Sequence, residues 1–323
     1  MTGGINLAGE AENPSPRGKS LSVVIPAYNE ENAIVQTIED VKKVLSELDC
    51  EHTEIVVVDD GSTDRTADIA TECGVRVLRK PHNIGYGHSL KLGIEAAHYD
   101  TIVITDADGT YPVHEIPRLL EIYRQGFNMV VGERTGEHFR ESWLKAPLRH
   151  VLRLIVEFTA GRRIPDPNSG LRIFSRAEII PFFPFLSNAF SFTISSTLAY
   201  MLNYYYVAYA QIPYYKRVGT TKVRMFRDSL RVIQYIVAAI LYYNPIKMFL
   251  ILSMFLGVVG IPVTVFGIVF GFVWATGVGL VIIGMTIPAF IAGLVVEANR
   301  QYLLHPPETK DLVPVPQHMP DSN

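Results

Sequence analysis

Two carboxylates one residue apart, Asp106 and Asp108, follow the apolar run Thr101–Thr105 and precede Gly109. Acids at that spacing on a loop can converge on one hard divalent cation such as Mg2+ or Mn2+. Such ions prefer oxygen ligands and usually keep phosphate oxygens of a substrate among their partners. A cation bridging a diphosphate makes it a better leaving group. Paired aspartates also occur in solvated turns, but the strand-like Val103-Ile104-Thr105 before them and Gly109-Thr110-Tyr111-Pro112 after them favour the ligand reading. A second acidic cluster, Asp59-Asp60-Gly61-Ser62-Thr63-Asp64, closes the apolar run Glu54–Val58. An acid there can accept hydrogen bonds from a ribose or a base, and Ser62 or Asp64 can cap the helix that follows.

Other chemistries are absent from the pattern. The run Leu21–Pro26 ends in Pro26-Ala27-Tyr28-Asn29-Glu30 rather than in GxGxxG, which argues against a dinucleotide cofactor, and there is no Walker A sequence. Gly85-Tyr86-Gly87 reads as a turn. The nine histidines form no metal-ligand array, and Cys50 and Cys73 have neither metal-ligand spacing nor a disulfide framework, which suits a reduced, cytosolic face. The sequence contains no nucleic-acid-binding module.

The elements that must position these acids alternate. Strands are predicted at Leu21–Pro26, Glu54–Val58, Val75–Leu78, Thr101–Thr105 and Met129–Val131. Helices are predicted over Glu30–Leu48, Arg65–Glu72, Ser89–Ala97 and Val113–Tyr123. This order predicts an α/β fold with a mostly parallel, Rossmann-like sheet covered on both faces. Ligands of such sheets bind beyond the carboxyl ends of the strands, where Asp59, Asp60, Asp106 and Asp108 all fall. Further along, Ser142–Ala160 reads as a helix, Pro165–Gly170 as a loop, Leu171–Phe174 as a short strand, Phe192–Leu202 as a helix and Tyr206–Ile212 as a strand.

Charge is unevenly distributed. Residues 1–139 carry 12 Lys and Arg against 23 Asp and Glu, residues 140–231 carry 14 against 5, and residues 232–323 carry 3 against 4. The basic middle block suits phosphate groups and anionic headgroups, although a solvated basic surface would look the same. Met248–Val296 then holds 49 residues without a charge. A hydrocarbon core of about 30 Å needs about 20 helical residues, so two spans fit, with a turn expected near Ala275-Thr276-Gly277-Val278-Gly279. Basic residues cluster before the first span and the turn has none, which puts both ends in the cytoplasm. Gly267 and Gly271 form a small-xxx-small spacing, and Pro262 and Pro288 are expected to kink the spans. Met225–Tyr243 is amphipathic, suited either to the membrane interface or to the soluble domain. Met1–Ser20 is polar and reads as disordered, without the apolar core of a signal peptide. The domain reading is 1–20 disordered, 21–224 catalytic, 225–245 juxtamembrane, 246–297 a two-helix transmembrane hairpin, and 298–323 a cytoplasmic tail.

Several segments resemble the family-2 inverting glycosyltransferases with the nucleotide-diphospho-sugar (GT-A) fold: Pro26-Ala27-Tyr28-Asn29-Glu30, Val58 through Asp64, Asn83-Ile84-Gly85-Tyr86-Gly87 and Asp106-Ala107-Asp108-Gly109. Gly132-Glu133-Arg134, Asp166 through Arg172 and Tyr215 through Lys222 resemble the polyprenyl- and dolichyl-phosphate glycosyltransferase branch, which contains dolichyl-phosphate mannose synthase. The resemblance spans about residues 21–225. It implies that Pro26, Tyr28, Glu30 and Asp59 line the nucleotide pocket with Asp60 and Asn83 nearby. Asp106 and Asp108 would bind a divalent metal (Mg2+ or Mn2+) and the diphosphate. Arg134, Arg172, Arg217 and Lys222, with Arg176 as a weaker candidate, would face the phosphates of donor and acceptor. Asp166 would orient an arginine or an acceptor oxygen, so the expected catalytic group is Asp108, Asp166, Arg172 and Arg217. The implied partners are a UDP- or GDP-linked sugar, polyprenyl phosphate, membrane lipid and further copies of the chain. The implied location is the plasma membrane, multi-pass, with the catalytic domain in the cytoplasm. The alternatives are a glycolipid hydroxyl as acceptor, with Asp166 as its base, and an inactive membrane scaffold. The chain differs from many relatives in reading Asp108-Gly109-Thr110-Tyr111-Pro112 after the metal motif and Ser191-Phe192-Thr193-Ile194-Ser195 where an acidic residue is common.

Overall fold

A computed structural model describes residues 17–136, 157–158, 160–215 and 245–304, with side chains to residue 299. The expected helix over Ser142–Ala160, the amphipathic segment Met225–Tyr243, Arg217, Lys222 and most of residues 1–20 lie outside the described residues. The chain forms two compact units, one before and one after residue 239.

The first unit is a seven-stranded sheet, with β1 at Ser20–Ala27, β2 at His52–Asp59, β3 at Arg76–Arg79, β4 at Thr101–Ile104, β5 at Met129–Thr135, β6 at Arg172–Ser175 and β7 at Val207–Pro213. Its order is β3-β2-β1-β4-β6-β5-β7. β1 is buried along nearly all its length because it lies in the middle of the sheet with helices on both faces. One face packs Val23, Ile25 and Val57 against α1 (Ile34–Glu47) and α4 (Ile116–Arg124). The other packs Val24, Val56 and Ile102 against α3 (Tyr86–Ala96) and the buried helix Phe192–Leu202. A short α2 (Thr66–Glu72) links β2 and β3. Asp64 Oδ1 accepts from the Thr66 amide at 3.0 Å, an Asx-type turn bond just before the helix, whose N-cap is Arg65 without a side-chain cap.

The β1–β2, β2–β3, β1–β4 and β5–β7 pairs are parallel. β6 is antiparallel to both β4 and β5. The chain leaves β1 toward β2 and β3 and returns on the other side of β1 as β4. The carboxyl ends of β1 and β4 therefore flank the switch point where α/β sheets take their ligands.

The second unit is helical. We number its helices α7 (Pro245–Phe270), α8 (Val273–Gly284) and α9 (Thr286–Leu304), after α5 (Arg176–Ile179) and α6 (Phe192–Leu202). Two stretches are long and apolar enough to cross a membrane, Pro245–Phe270 and Val273–Asn299, each with mean hydropathy 2.4. The turn between them falls at Gly271-Phe272, before the expected 275–279 segment. Gly271 has φ +70°, its amide donates to Ile268 O, and the Phe272 amide donates to Gly267 O at 2.8 Å. This is the glycine-terminated helix end in which two orphan carbonyls are satisfied. Gly279 instead sits inside α8, where a Cβ would fall 2.5 Å from the Thr264 amide nitrogen. Gly267 has the same relation to Thr276. The small residues thus serve contact between the helices of the hairpin, and Gly271 serves the turn. α7 continues through Pro262, whereas the second stretch is interrupted at Met285, three residues before Pro288.

Candidate active site

Asp106 and Asp108 stand on the loop that leaves β4. Asp108 is 5% exposed, and its Oδ1 accepts from the Thr110 amide at 3.1 Å and the Thr110 hydroxyl at 2.6 Å. Asp106 Oδ1 accepts from the Tyr86 hydroxyl at 2.9 Å, and Gly170 lies close enough that a Cβ on it would fall 2.9–3.1 Å from the carboxylate. The loop is tied down at three further points. The Thr37 hydroxyl of α1 donates to Ala107 O, the Tyr215 amide donates to Thr110 O, and the Gly170 amide donates to the Tyr111 hydroxyl at 2.6 Å. Asp106 is thus held from α3 and Asp108 from within its own loop.

The β1 and β2 ends carry the second cluster. Ala27 is in register with Asp59, so Tyr28, Asn29 and Glu30 emerge beside Asp59 and Asp60. Asp59 is 4% exposed and accepts from the Ser62 amide. Asn29 adopts φ +52°, and its side chain accepts from the Thr63 amide at 2.8 Å, binding the two strand-end loops together. Pro26 is buried within β1, Glu30 is nearly buried, Tyr28 is half-buried, and Asn83 is exposed. Asp60 takes a structural place. Its carboxylate accepts from the Ile84 and Gly85 amides at 2.9 and 3.0 Å and pairs with buried Lys80. Lys80 also donates to Ser89 Oγ at 3.0 Å. Lys80 went unremarked in the sequence because a lysine after a strand normally reads as solvated.

The loop before β6 brings Asp166 to the end of β5. Arg134 donates Nε to Asp166 Oδ2 at 2.7 Å and Nη2 to Oδ1 at 2.9 Å. The guanidinium also lies over the Tyr214 ring, 5.3 Å from its centroid. Burial alone would raise the Asp166 carboxyl, but the Arg134 charge and the hydrogen bonds from Arg134 and Asn168 outweigh it and hold the group below its ordinary value.

Arg172 is placed differently from the expectation that it faces phosphates. It is fully buried, donating to Ser169 O at 2.7 Å, Pro167 O at 2.8 Å and Thr197 Oγ1 at 2.7 Å. Burial lowers its pKa from the usual arginine value. Its donors hold the 167–169 loop from beneath. Arg176 lies at the wrong end of the sheet. Ser175 pairs with Thr101, at the start of β4, and Arg176 donates to the carbonyls of Ile94 and Glu95 at the end of α3. At about 3.3 Å per strand residue, four residues of β4 separate it from the Asp106 loop. An antiparallel β6 reverses which of its ends meets the site, and neither residue type nor spacing reveals that reversal.

Three comparisons place the chain among known proteins. The family model described as glycosyl transferase family 2 matches residues 22–196, more than half of the chain. The chain belongs to glycosyl transferase family 2. Low-salt glycan biosynthesis hexosyltransferase Agl6 of Haloferax volcanii is 38% identical over 162 residues, covering 49% of this chain and 38% of that one. Dolichyl-phosphate hexose transferase of the same organism is 30% identical over 208 residues, covering 64% of this chain and 87% of that one. The match therefore spans well under two-thirds of the first relative and most of the second. Among solved structures, glucosyl-3-phosphoglycerate synthase from Mycobacterium tuberculosis, in complex with Mn2+, UDP and glucosyl-3-phosphoglycerate, superposes with a TM-score of 0.54 at 22% identity. It covers 69% of this chain and 80% of that one, a likeness of fold.

In this family 2 chain, the donor set at the β4 edge fits a hard divalent cation. Among the described residues there is no cluster of three or more His, Cys, Asp and Glu that would enclose a metal. Two carboxylates on one strand-end loop match instead the Mg2+ and Mn2+ habit of taking one or two carboxylates and completing the shell with water and substrate phosphate. Asp106 and Asp108 each present carboxylate oxygens, the ligand atoms that such hard cations prefer.

Proposed function

We propose that this chain transfers a sugar from a nucleotide diphosphate sugar to a polyprenyl phosphate at the cytoplasmic face of a membrane, with inversion at the anomeric carbon. The observation that carries the reading is the Asp106–Asp108 pair fixed at the carboxyl edge of the sheet, in a chain that also holds two membrane-length apolar stretches. The relative named as a dolichyl-phosphate hexose transferase supports it. We propose catalytic, juxtamembrane, hairpin and tail segments at 21–224, 225–245, 246–297 and 298–323, and assembly with further copies of the chain.

The acceptor phosphate has a second pKa of about 6, so its oxygen is already anionic near neutrality. That oxygen attacks the anomeric carbon as the bond to the nucleotide diphosphate breaks on the opposite side, and the electron pair leaves with the diphosphate. An α-linked donor gives a β-linked lipid phosphate sugar. A divalent cation held by Asp106 and Asp108 would neutralise charge on the departing diphosphate. Pro26, Tyr28, Glu30, Asp59 and Asn83 would shape the nucleotide side, with Asp60 holding the 83–85 loop. Arg134, set by Asp166, would present positive charge near the reacting phosphates, joined by Arg217 and Lys222. A glycolipid hydroxyl would need a general base. Asp166, held anionic by Arg134 and below its ordinary pKa, is a weak one, which favours the phosphate acceptor.

The test uses full-length protein in detergent with polyprenyl phosphate, Mn2+ or Mg2+, and labelled UDP- and GDP-sugars, with and without EDTA. Label passing into organic solvent as a mild-acid-labile lipid, and stopped by EDTA, supports the reading. Folded protein that transfers from no donor overturns it, and transfer into a glycolipid instead overturns the phosphate acceptor.

A further inference from the structure

The Asn83–Gly87 loop carries a side chain that neither the motif reading nor the family comparison assigns. Tyr86 points its hydroxyl at Asp106 Oδ1, 2.9 Å away. Its ring is packed flat against Phe190, with centroids 5.6 Å apart and planes 16° from parallel. Phe190 is 40% exposed, so it forms the outer surface of this pair.

The loop is placed by backbone contacts that only glycine tolerates. Gly85 has φ +135°, and a Cβ on it would meet Asn188 O at 2.6 Å. At Gly87 a Cβ would fall 2.2 Å from Ser187 O. The His88 amide donates to Asn188 O at 3.0 Å. The facing segment is pinned in turn by Lys91, whose ammonium donates to Phe183 O, Leu186 O and Asn188 Oδ1 at 2.6–2.7 Å. Those three bonds use all of its donors. Two anchored segments therefore close on each other, and the Tyr86–Phe190 pair is where their side chains meet above Asp106.

We propose that Tyr86 is the positioning residue for the cation-binding carboxylate of Asp106, with Phe190 as its support. The proposal rests on the reading that Asp106 and Asp108 hold a divalent cation. The hydroxyl fixes Oδ1 of Asp106, and the backbone of Gly170 approaches the same carboxylate so closely that a Cβ there would lie 2.9–3.1 Å from its atoms. Outer-shell partners of this kind are commonly worth about 10-fold or more in metal affinity.

The experiment measures Mn2+ binding without turnover. Full-length protein in detergent is titrated with Mn2+ in the presence of UDP and, in parallel, GDP, and free Mn2+ is read by electron paramagnetic resonance. The variants are Tyr86→Phe, Phe190→Leu and, as the reference for loss, Asp106→Asn. Tyr86→Phe keeps the stacked ring and removes one O–H. Its Mn2+ dissociation constant is expected to rise about 10-fold, with metal-free nucleotide binding unchanged. Phe190→Leu, at an exposed position that folding tolerates, is expected to move the same constant in the same direction by a smaller factor. A Tyr86→Phe constant within twofold of wild type, while Asp106→Asn abolishes binding, overturns the positioning role and leaves the cation reading intact. Weakened metal-free nucleotide binding with unchanged Mn2+ affinity overturns it in favour of a substrate contact. Wild-type protein that binds no Mn2+ with either nucleotide overturns the cation reading together with this inference.

Discussion

Arg134 and Asp166 meet side-on, with Nε to Oδ2 at 2.7 Å, Nη2 to Oδ1 at 2.9 Å and the Arg134 amide as a third donor at 3.2 Å. One residue ends β5, and the other opens the loop that leads into β6. The two-point grip fixes the guanidinium plane as well as its position, which a lysine could not do. The pair therefore sets both the direction in which positive charge is offered and the path of the 166–170 loop that runs beneath Asp106.

Removing one member exposes what the pair does. Asp166→Asn leaves a largely buried guanidinium without its counter-charge and is expected to destabilise the first unit by about 3 kcal/mol. Arg134→Met/Asp166→Asn should recover part of that loss, because the stranded charge is gone. Chemical denaturation of the single and double variants checks both. Equal losses for the two would mean that the loop's hydrogen bonds, rather than the charge, dominate.

The same pair makes a pH prediction. The Asp166 carboxyl is depressed in the folded state, so its contribution is present above the unfolded value, about 3.9, and is lost as pH falls through the lower folded value. The difference in melting temperature between wild type and Asp166→Asn should stay constant from pH 7 to about pH 5 and shrink only below about pH 4. A difference that shrank between pH 7 and pH 5 would contradict the assignment.

Asp60 and Lys80 form the second buried pair, and their effect should appear in substrate binding as well as stability. Lys80→Met leaves a buried carboxylate that keeps only the Ile84 and Gly85 amides. We expect a loss of about 3 kcal/mol and a raised KM for the nucleotide sugar, because the 83–87 loop loses its anchor. Steady-state kinetics at a temperature where the variant remains folded separate the two effects. Unchanged KM would confine Lys80 to stability.

Gly170 tests the alignment of Asp106 directly. Its backbone lies outside the left-handed region, so alanine is conformationally acceptable there, yet the added Cβ would lie 2.9–3.1 Å from the Asp106 carboxylate. Gly170→Ala should therefore fold with little change in melting temperature while turnover falls about 10- to 100-fold, the scale of an ångström-sized misplacement. Turnover within twofold of wild type would show that the carboxylate has room to move.

Much of this arrangement was legible in the sequence. Apolar runs ending in acids located the strand ends, and the helix over Phe192–Leu202 was read to the residue. What escaped notice was what periodicity does not encode. The four-residue strand Arg172–Ser175 carries no mark of its direction, and its antiparallel course sends Arg176 to the far edge. The resemblance implies that Arg172 faces phosphates, whereas four neighbouring carbonyl and hydroxyl groups accept its donors in the interior, a placement its residue type does not announce because arginines are mostly exposed. Gly85-Tyr86-Gly87 read as a turn because glycines dominate such segments, and the tyrosine between them was passed over. In the helical unit, the glycine-rich 275–279 segment reads as the turn and Gly271 as a helix contact, whereas the backbone shows that Gly271 turns while Gly279 packs.

That last distinction can be tested. In lipid the driving force between helices is close packing rather than hydrophobic burial, so a side chain inserted at a contact costs packing with nothing to offset it. A Cβ at Gly279 meets Thr264 Oγ1 at 2.2 Å and the Thr264 amide nitrogen at 2.5 Å, and the latter is backbone that cannot rotate away. At Gly284 a Cβ meets nothing within 4 Å. Gly279→Val should therefore force α7 and α8 apart at a cost of about 1–3 kcal/mol, whereas Gly284→Val, of the same residue type and in the same helix, should be neutral. Thermal melting of full-length protein in lipid nanodiscs, read through the fluorescence of Trp274 in α8 with Trp143 replaced by Phe, reports the difference. Equal melting temperatures for the two variants would mean that the α7–α8 contact does not persist in a bilayer. A drop confined to Gly279→Val would establish that the hairpin is held by this contact.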